Sequence, residues 1–418
     1  MPTFSIPLSG LTAESSALSA IANNLANQNT IGYKNVRVLF RDLFYENLGT
    51  TGSGDPIQLG AGTQVGSMPG MFTQGNVNST GVATDVAIQG EGFFVVQKGG
   101  VISYTRAGNF AVDKNNFLVT PDGQQVLGYP AVNGVVTPGQ GLTALQLGAG
   151  SISPPTSTGT VQIAANLDAT ANIGDAFSAP VKIYDSLGAS HMLTFTFTKA
   201  SANNWDYAIS IPTADVSGSP TLATGTLSFD GTGTLTAVTP AGAASGSAGN
   251  LTGIAINGFT DGAADMTFDW ILFNGTTPVM TQVAGPSSTS STQQNGSASG
   301  TLVNFSIGAD GTVTGSFSNG RTAALGQIAL AGFPDVQGLM RMGDNLFQES
   351  LASGQAVIGS PGTGGRGTLS GGALELSNVD IATEFANLIV AQRAFEANAK
   401  AVTTFDQITQ DTINLKQG

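Results

Sequence analysis

Apolar residues recur at spacings of three and four at both ends of the chain, and mostly at spacings of two between them. Near the start, Phe4, Leu8, Leu11, Ser15, Leu18, Ala22 and Leu25 form one stripe, with Ile21 beside it. This is the pattern of an amphipathic helix. Asn23, Asn24, Asn27 and Asn29 crowd its end, and Gly32 is a stop signal. Toward the other end, Ile381, Phe385, Leu388, Gln392, Phe395, Ala399, Val402, Phe405, Ile408, Thr412 and Leu415 keep the same spacing. Asn378 or Asp380 is the candidate cap. The second helix is therefore roughly 52 Å long at about 1.5 Å per residue. So narrow a stripe needs a partner to be stable. The N-terminal helix and copies from other chains are the candidates, set against a plain helical hairpin inside one domain.

The middle of the chain predicts short strands and turns. Asp85–Ile88 and Phe93–Val96 flank Gly90-Glu91-Gly92. Asn115-Asn116 and Asp122-Gly123 mark tight turns. Leu48 to Gly62 is rich in Gly and Pro and is expected to be a loop. Leu142 to Gly159 reads as a domain boundary, Val181–Tyr184 and Leu193–Thr198 as strands beyond it, and Ser287 to Gly300 as a polar connector. The predicted fold class is mainly β with α-helical termini, nested β domains lying between two helices that pair. The expected division is a helical core (1–32 and 376–418), a connecting region (33–70 and 360–375), an inner β domain (71–150 and 283–359) and an outer β domain inserted in it (151–282).

Composition narrows the function classes. The 418 residues include 14 Lys+Arg, 27 Asp+Glu, one His and no Cys, for a net charge of −13. Charged residues make up 10%, against about 25% in an ordinary soluble domain. No Lys or Arg occurs between Ala200 and Gly320, so nucleic acid is a poor partner. Without Cys there is no thiolate chemistry and no Cys-ligated zinc. No apolar run is long enough for a transmembrane helix, so no membrane insertion is expected. The first positive residue is Lys34, so no cleaved secretory signal is expected either.

Candidate chemistry is sparse. Gly362-x-Gly364-x-x-Gly367 matches a dinucleotide fingerprint as a string, but no helical pattern follows it. A catalytic triad would have to use His191, which reads as a packed or surface histidine. Asp261, Asp265 and Asp269 lack the alternating oxygens of a calcium loop. The expectation is no enzyme, no cofactor, no catalytic residue and no metal site.

Three blocks are more specific. Ile21–Asn27, Thr30-Ile31-Gly32-Tyr33-Lys34, Arg37 and Phe40 come first. Asp85–Phe94 and Tyr104–Phe110 follow. Ser377–Asp380 and Val390–Asn398, which contains Gln392 and Arg393, close the series. In this order they resemble the signatures of the bacterial flagellar rod and hook axial proteins. The long central insertion, with Ser318-Asn319-Gly320, Leu325–Leu330 and Gly343-Asp344-Asn345, resembles the hook branch of that family.

The resemblance implies an extracellular structural subunit of the hook and basal body. It would self-assemble into a curved hollow helical tube, a universal joint between motor rod and filament. It implies rod proteins, hook–filament junction proteins, a hook cap and the flagellar type III export apparatus as partners. The polymerisation residues would be Leu8, Leu11, Leu18, Ile21, Leu25, Ile381, Phe385, Leu388, Phe395, Val402 and Phe405. Asn23, Asn24, Asn27, Gly32, Tyr33, Lys34, Gln392 and Arg393 would be the family motif. The extra residues between Phe44 and Gly60 leave a rigid distal rod subunit as the alternative. A secreted β-rich adhesin and a glycosidase with paired carboxylates are the readings from other classes.

Overall fold

The structure, a computed structural model, describes residues 5–132, 134–139, 141–147 and 152–417. Phe4 of the predicted stripe and residues 148–151 of the expected boundary lie outside them. Two helices, α1 (Ser5–Ala26) and α2 (Ile381–Gln417), bracket a long series of strands. The chain forms two compact units, one of residues 1–148, 304–315 and 322–418, the other of residues 149–303 and 316–321.

In the first unit, strand Phe93–Lys98 pairs antiparallel with Val101–Thr105, Gln125–Val132 and Leu330–Gly332. Successive side chains of a strand point to opposite faces, and here both faces are covered. Phe94 and Val96 enter a core with Val86, Ile88, Phe110, Val126 and Leu330. Phe93 and Val95 enter another with Tyr104, Leu127, Ala331 and Phe347. This explains why Phe93–Val96 is an unbroken apolar run rather than an alternating one. The returning chain then lies along the outgoing one. Thr368–Gly371 pairs with Val86–Gln89, and Ala373–Glu375 with Val77–Ser79. The glycine-rich 362–367 stretch is a turn ahead of that first returning strand, with no helix at its end.

Leu48–Gly62 is not a loop. Tyr45–Thr50 and Pro56–Gly60 form an antiparallel hairpin. Its turn is closed by Thr51 N–H donating to the Asp55 carbonyl at 2.8 Å. A two-stranded ribbon with no buried face has no alternation to reveal it, so the Gly and Pro count dominates the sequence signal.

The second unit contains two five-stranded sheets sharing one core. One is an antiparallel meander of Ala176–Tyr184, Ser190–Ser201, Asn204–Ser210, Thr221–Phe229 and Leu235–Pro240. In the other, Thr160–Asp168 runs parallel to Met266–Ile271 and Met280–Val283. Alternate residues Val161, Ile163, Ala165 and Leu167 are buried, the half-buried pattern a sheet facing a core demands. Trp270 packs against Phe195, Phe197 and Tyr207, and the Trp205 indole donates to Gln282 Oε1 at 3.0 Å. The unit continues past Gln282, where the sequence reading ends it. The supposed connector contains a strand, Ser288–Gln294, paired antiparallel along Thr160–Asp168. It is an edge strand with nearly every side chain exposed, so nothing selects apolar residues in it.

Candidate functional site: the terminal junction and helix pair

The N-terminal and C-terminal motifs meet at a buried charge cluster. Glu375 ends the returning strand with its side chain fully buried. Its Oε1 accepts from Lys34 Nζ at 2.7 Å and from the Gly75 amide at 2.9 Å. Arg106 Nε lies 3.5 Å from Oε2, and the Arg106 Nη1 also donates to the Gly90 and Gly92 carbonyls. Burial pushes the Lys34 pKa down, Arg106 adds to that, and the bond to Glu375 opposes it. The anion therefore keeps two desolvated cations in place.

Gly32 is fixed by backbone and space together. Its amide donates to the Glu375 carbonyl at 2.8 Å, and its φ is +67°. A Cβ there would fall 2.7 Å from Ala107 N and from the Arg106 carbonyl carbon. Left-handed backbone costs a non-glycine residue roughly 1–2 kcal/mol before any overlap. Gly32→Ala is therefore expected to destabilise the first unit by more than about 2 kcal/mol, read as a lower midpoint in chemical denaturation.

The motif asparagines are wired into the same junction. Asn24 is fully buried. Its Nδ2 donates to the Val36 carbonyl at 2.9 Å and to Glu384 Oε1 at 3.2 Å. Its Oδ1 accepts from the Val36 amide and the Tyr33 hydroxyl. One amide thus ties the end of α1, the extended chain and the start of α2. Asn23 donates to the Tyr33 hydroxyl at 3.2 Å, while Asn27 bonds back to Asn23 and closes the helix end. Asn378 is not the cap of α2. It accepts from the Asn35 amide at 2.8 Å and donates to the Met71 carbonyl. Asp380 is the cap, accepting from the Thr383 amide at 2.7 Å, which holds its carboxyl below the usual range.

Burial pushes the Glu384 pKa up, more than its bonds to Asn24 and Asn35 pull it down. A raised folded-state pKa contributes stability that is fully present below the unfolded value, near 4.5, and lost as pH rises through the raised value. The helix pair is therefore expected to tighten as pH falls across that window. Hydrogen exchange of α1 amides checks this, and Glu384→Gln should flatten the pH dependence.

The helices are antiparallel, with Asn24 against Glu384 and Gly10 against Asn398. The residues α1 buries are Pro7, Gly10, Ala13, Ala17 and Asn24. These small side chains, rather than the predicted leucine stripe, meet α2, because helix separation is set by side-chain size at the contact. Leu8 is exposed, and Leu11, Leu18, Ile21 and Leu25 are half-buried. On α2, Leu388 and Val402 are half-buried toward the pair, while Ile381, Phe385, Phe395 and Phe405 are exposed. Gln392 and Arg393 take no part in the junction. Both are exposed, and among the described residues Arg393 pairs with Glu396 at 3.4 Å. Among the described residues the register ends near Thr403, opposite Ser5. The rest of α2 continues for roughly 20 Å at about 1.5 Å per residue, with Ile408, Ile413 and Leu415 exposed. Beside the pair lies a groove of about 520 Å³ lined by Ala17, Ile21, Val36, Phe40 and Val390 among others.

Sequence reasoning missed Glu375, Glu384 and Gly75. In a chain with so few charges, a Glu set in Ala373-Leu374-Glu375-Leu376 was the available signal for a buried partner.

Comparison with known proteins agrees with this arrangement of termini around β units. Residues 6–34 match the model described as flagella basal body rod protein, and 370–415 the flagellar basal body rod FlgEFG protein C-terminal model. Residues 87–170 match the flagellar hook protein FlgE/F/G D1 domain, and 155–297 the flagellar basal body protein FlaE D2 domain. The flagellar hook protein FlgE of Salmonella typhimurium is 36% identical over 99% of this chain and 100% of its own length. That of Treponema pallidum is 34% identical over 98% of each. The chain belongs to the flagellar hook protein family. It is a structural subunit of the flagellar hook and not an enzyme, and membership fits self-assembly into a flagellar polymer. The distal rod alternative is not favoured. Among the described residues no helix is long and apolar enough to cross a membrane.

Proposed function

We propose that this hook-family chain polymerises into a curved hollow tube that transmits torque as a universal joint between motor rod and filament. The α1–α2 pair would line the tube, with β structure outside it. The observation that carries this reading is the unfinished helix pair. The outer face of α2 and its last turns expose Phe385, Ile389, Ile408 and Leu415, which another copy would cover. Low charge suits the β regions to surfaces that shift as the tube bends, because buried ion pairs resist exchanging partners. Rod proteins, junction proteins and a cap would meet the two ends of the polymer. Passage through the flagellar type III apparatus fits a chain that holds no Cys to be trapped by oxidation.

Electron microscopy of the purified protein tests the proposal. Curved tubes are the expected product. Straight, short tubes would overturn the universal-joint reading, and a persistent monomer at high concentration would defeat the assembly reading.

A further inference from the structure

The single histidine of the chain is not an isolated packed residue. His191 is the second residue of strand Ser190–Ser201 in the second unit and is 7% exposed. Its Nε2 lies 3.0 Å from Asp185 Oδ2 and 3.7 Å from Asp261 Oδ2. Its Nδ1 lies 3.2 Å from Asp215 Oδ2. The Phe259 ring covers one side, 4.8 Å away between centroids. Among the described residues, the imidazole has no polar partner outside these carboxylates. Three segments distant in sequence converge here, in a unit with very few charges.

We propose that Asp185, His191 and Asp261 bind a divalent transition-metal ion of the zinc class, with Asp215 orienting the imidazole from behind. The free donor atoms are already sorted. Asp185 Oδ1 is occupied by the Leu187 and Ala189 amides, at 2.8 and 2.9 Å. Asp261 Oδ1 is occupied by the Ala263 amide at 3.0 Å. Each carboxylate therefore has one oxygen pinned by backbone and presents the other, Oδ2, to the Nε2 side of the ring. The three donor atoms lie within 4.8 Å of one another. A tetrahedral ion with bonds of about 2.0–2.1 Å has ligand–ligand edges of roughly 3.4 Å. The observed separations of 3.0 and 3.7 Å bracket that value.

The far side of the ring has the matching feature. A metal-bound histidine characteristically donates its other N–H to a carboxylate, which fixes the tautomer; Asp215 Oδ2 lies 3.2 Å from the buried Nδ1, out of line for a hydrogen bond, and would take that role by a small turn of its carboxylate. An imidazole donor favours zinc and its neighbours over magnesium or calcium, which prefer all-oxygen sets. Three protein donors leave a fourth position for water, and the Asp261 side chain, 32% exposed, gives a path in. Asp265 and Asp269 point elsewhere, to the Gly258 and Gly253 amides. Bound there, the ion would staple the turn after Ala176–Tyr184 to the connection before Met266–Ile271. It would also balance the three carboxylates that converge on the ring.

The test is zinc binding to the full chain after chelator treatment, near neutral pH, with excess magnesium to occupy weak surface carboxylates. One zinc per chain is expected, with a shift of the ring signals of the only histidine in proton NMR. Asp215→Asn should weaken binding about 10-fold or more, and Asp261→Asn and His191→Gln more severely, while Asp269→Asn should leave it unchanged. If no stoichiometric zinc binds, the cluster is an imidazolium balanced by carboxylates and the proposal fails. It also fails if zinc binds without moving the histidine signals. Asp261 is partly exposed, so Asp261→Asn tests the site even if His191→Gln does not fold.

Discussion

Glu375→Ala is expected to lower the stability of the first unit by about 3–5 kcal/mol. The substitution leaves Lys34 and Arg106 desolvated with no counterion and removes the acceptor of the Gly75 amide. A typical domain has only about 5–15 kcal/mol to lose, so the terminal junction should open well below ordinary denaturing conditions. Lys34→Ala should cost less, because Arg106 remains beside the carboxylate. The measurement can be made unit by unit. Both tryptophans of the chain, Trp205 and Trp270, are buried in the second unit. Indole fluorescence therefore reports that unit alone, while far-ultraviolet circular dichroism includes the helices of the first. The variant should shift the dichroism transition and leave the fluorescence transition where it was. Coincident shifts in both would refute the assignment of Glu375 as a local clamp.

That clamp shows where sequence reasoning stops. The two helices were legible because each carries a long 3.6-residue period, and strands such as Leu193–Thr198, inside Ser190–Ser201, because buried and more exposed side chains alternate along them. The Tyr45–Gly60 hairpin and the Ser288–Gln294 edge strand were not legible, since neither buries a face and so neither writes a period. The motif residues Asn24, Gly32, Tyr33 and Lys34 were found as a string, but their shared purpose depends on Glu375 and Glu384, which lie more than three hundred positions away. Spacing along a chain does not encode such a pairing. The leucine stripe of α1 shows a subtler limit. Periodicity says that a face is apolar without saying which partner covers it, and here the intrachain contact uses Gly10, Ala17 and Asn24 instead.

This separation of faces allows assembly to be broken without breaking the subunit. Ile389→Asp and Ile408→Asp place a charge at positions 57% and 55% exposed in the single chain. Neither lies on the face α2 turns to Gly10, Ala17 and Asn24, so the monomer should keep its helix pair and both tryptophan signals. In a polymer that covers these residues, each change forfeits about 1.5–3 kcal/mol of apolar burial and adds the desolvation of an unpaired carboxylate. At about 1.4 kcal/mol per decade, a loss near 3 kcal/mol raises the critical concentration for tube growth roughly 100-fold. Leu388→Asp should behave differently. Leu388 is half-buried between Glu384 and Ala391 on the packed face, so this variant should lose helix-pair protection in hydrogen exchange as well as tubes. Sedimentation of polymer against concentration, paired with exchange on the monomer, distinguishes the two classes. Unchanged tube growth by Ile408→Asp would show that the projecting end of α2 is not covered by a neighbouring copy, and the inner-layer model of the hook subunit would have to be abandoned.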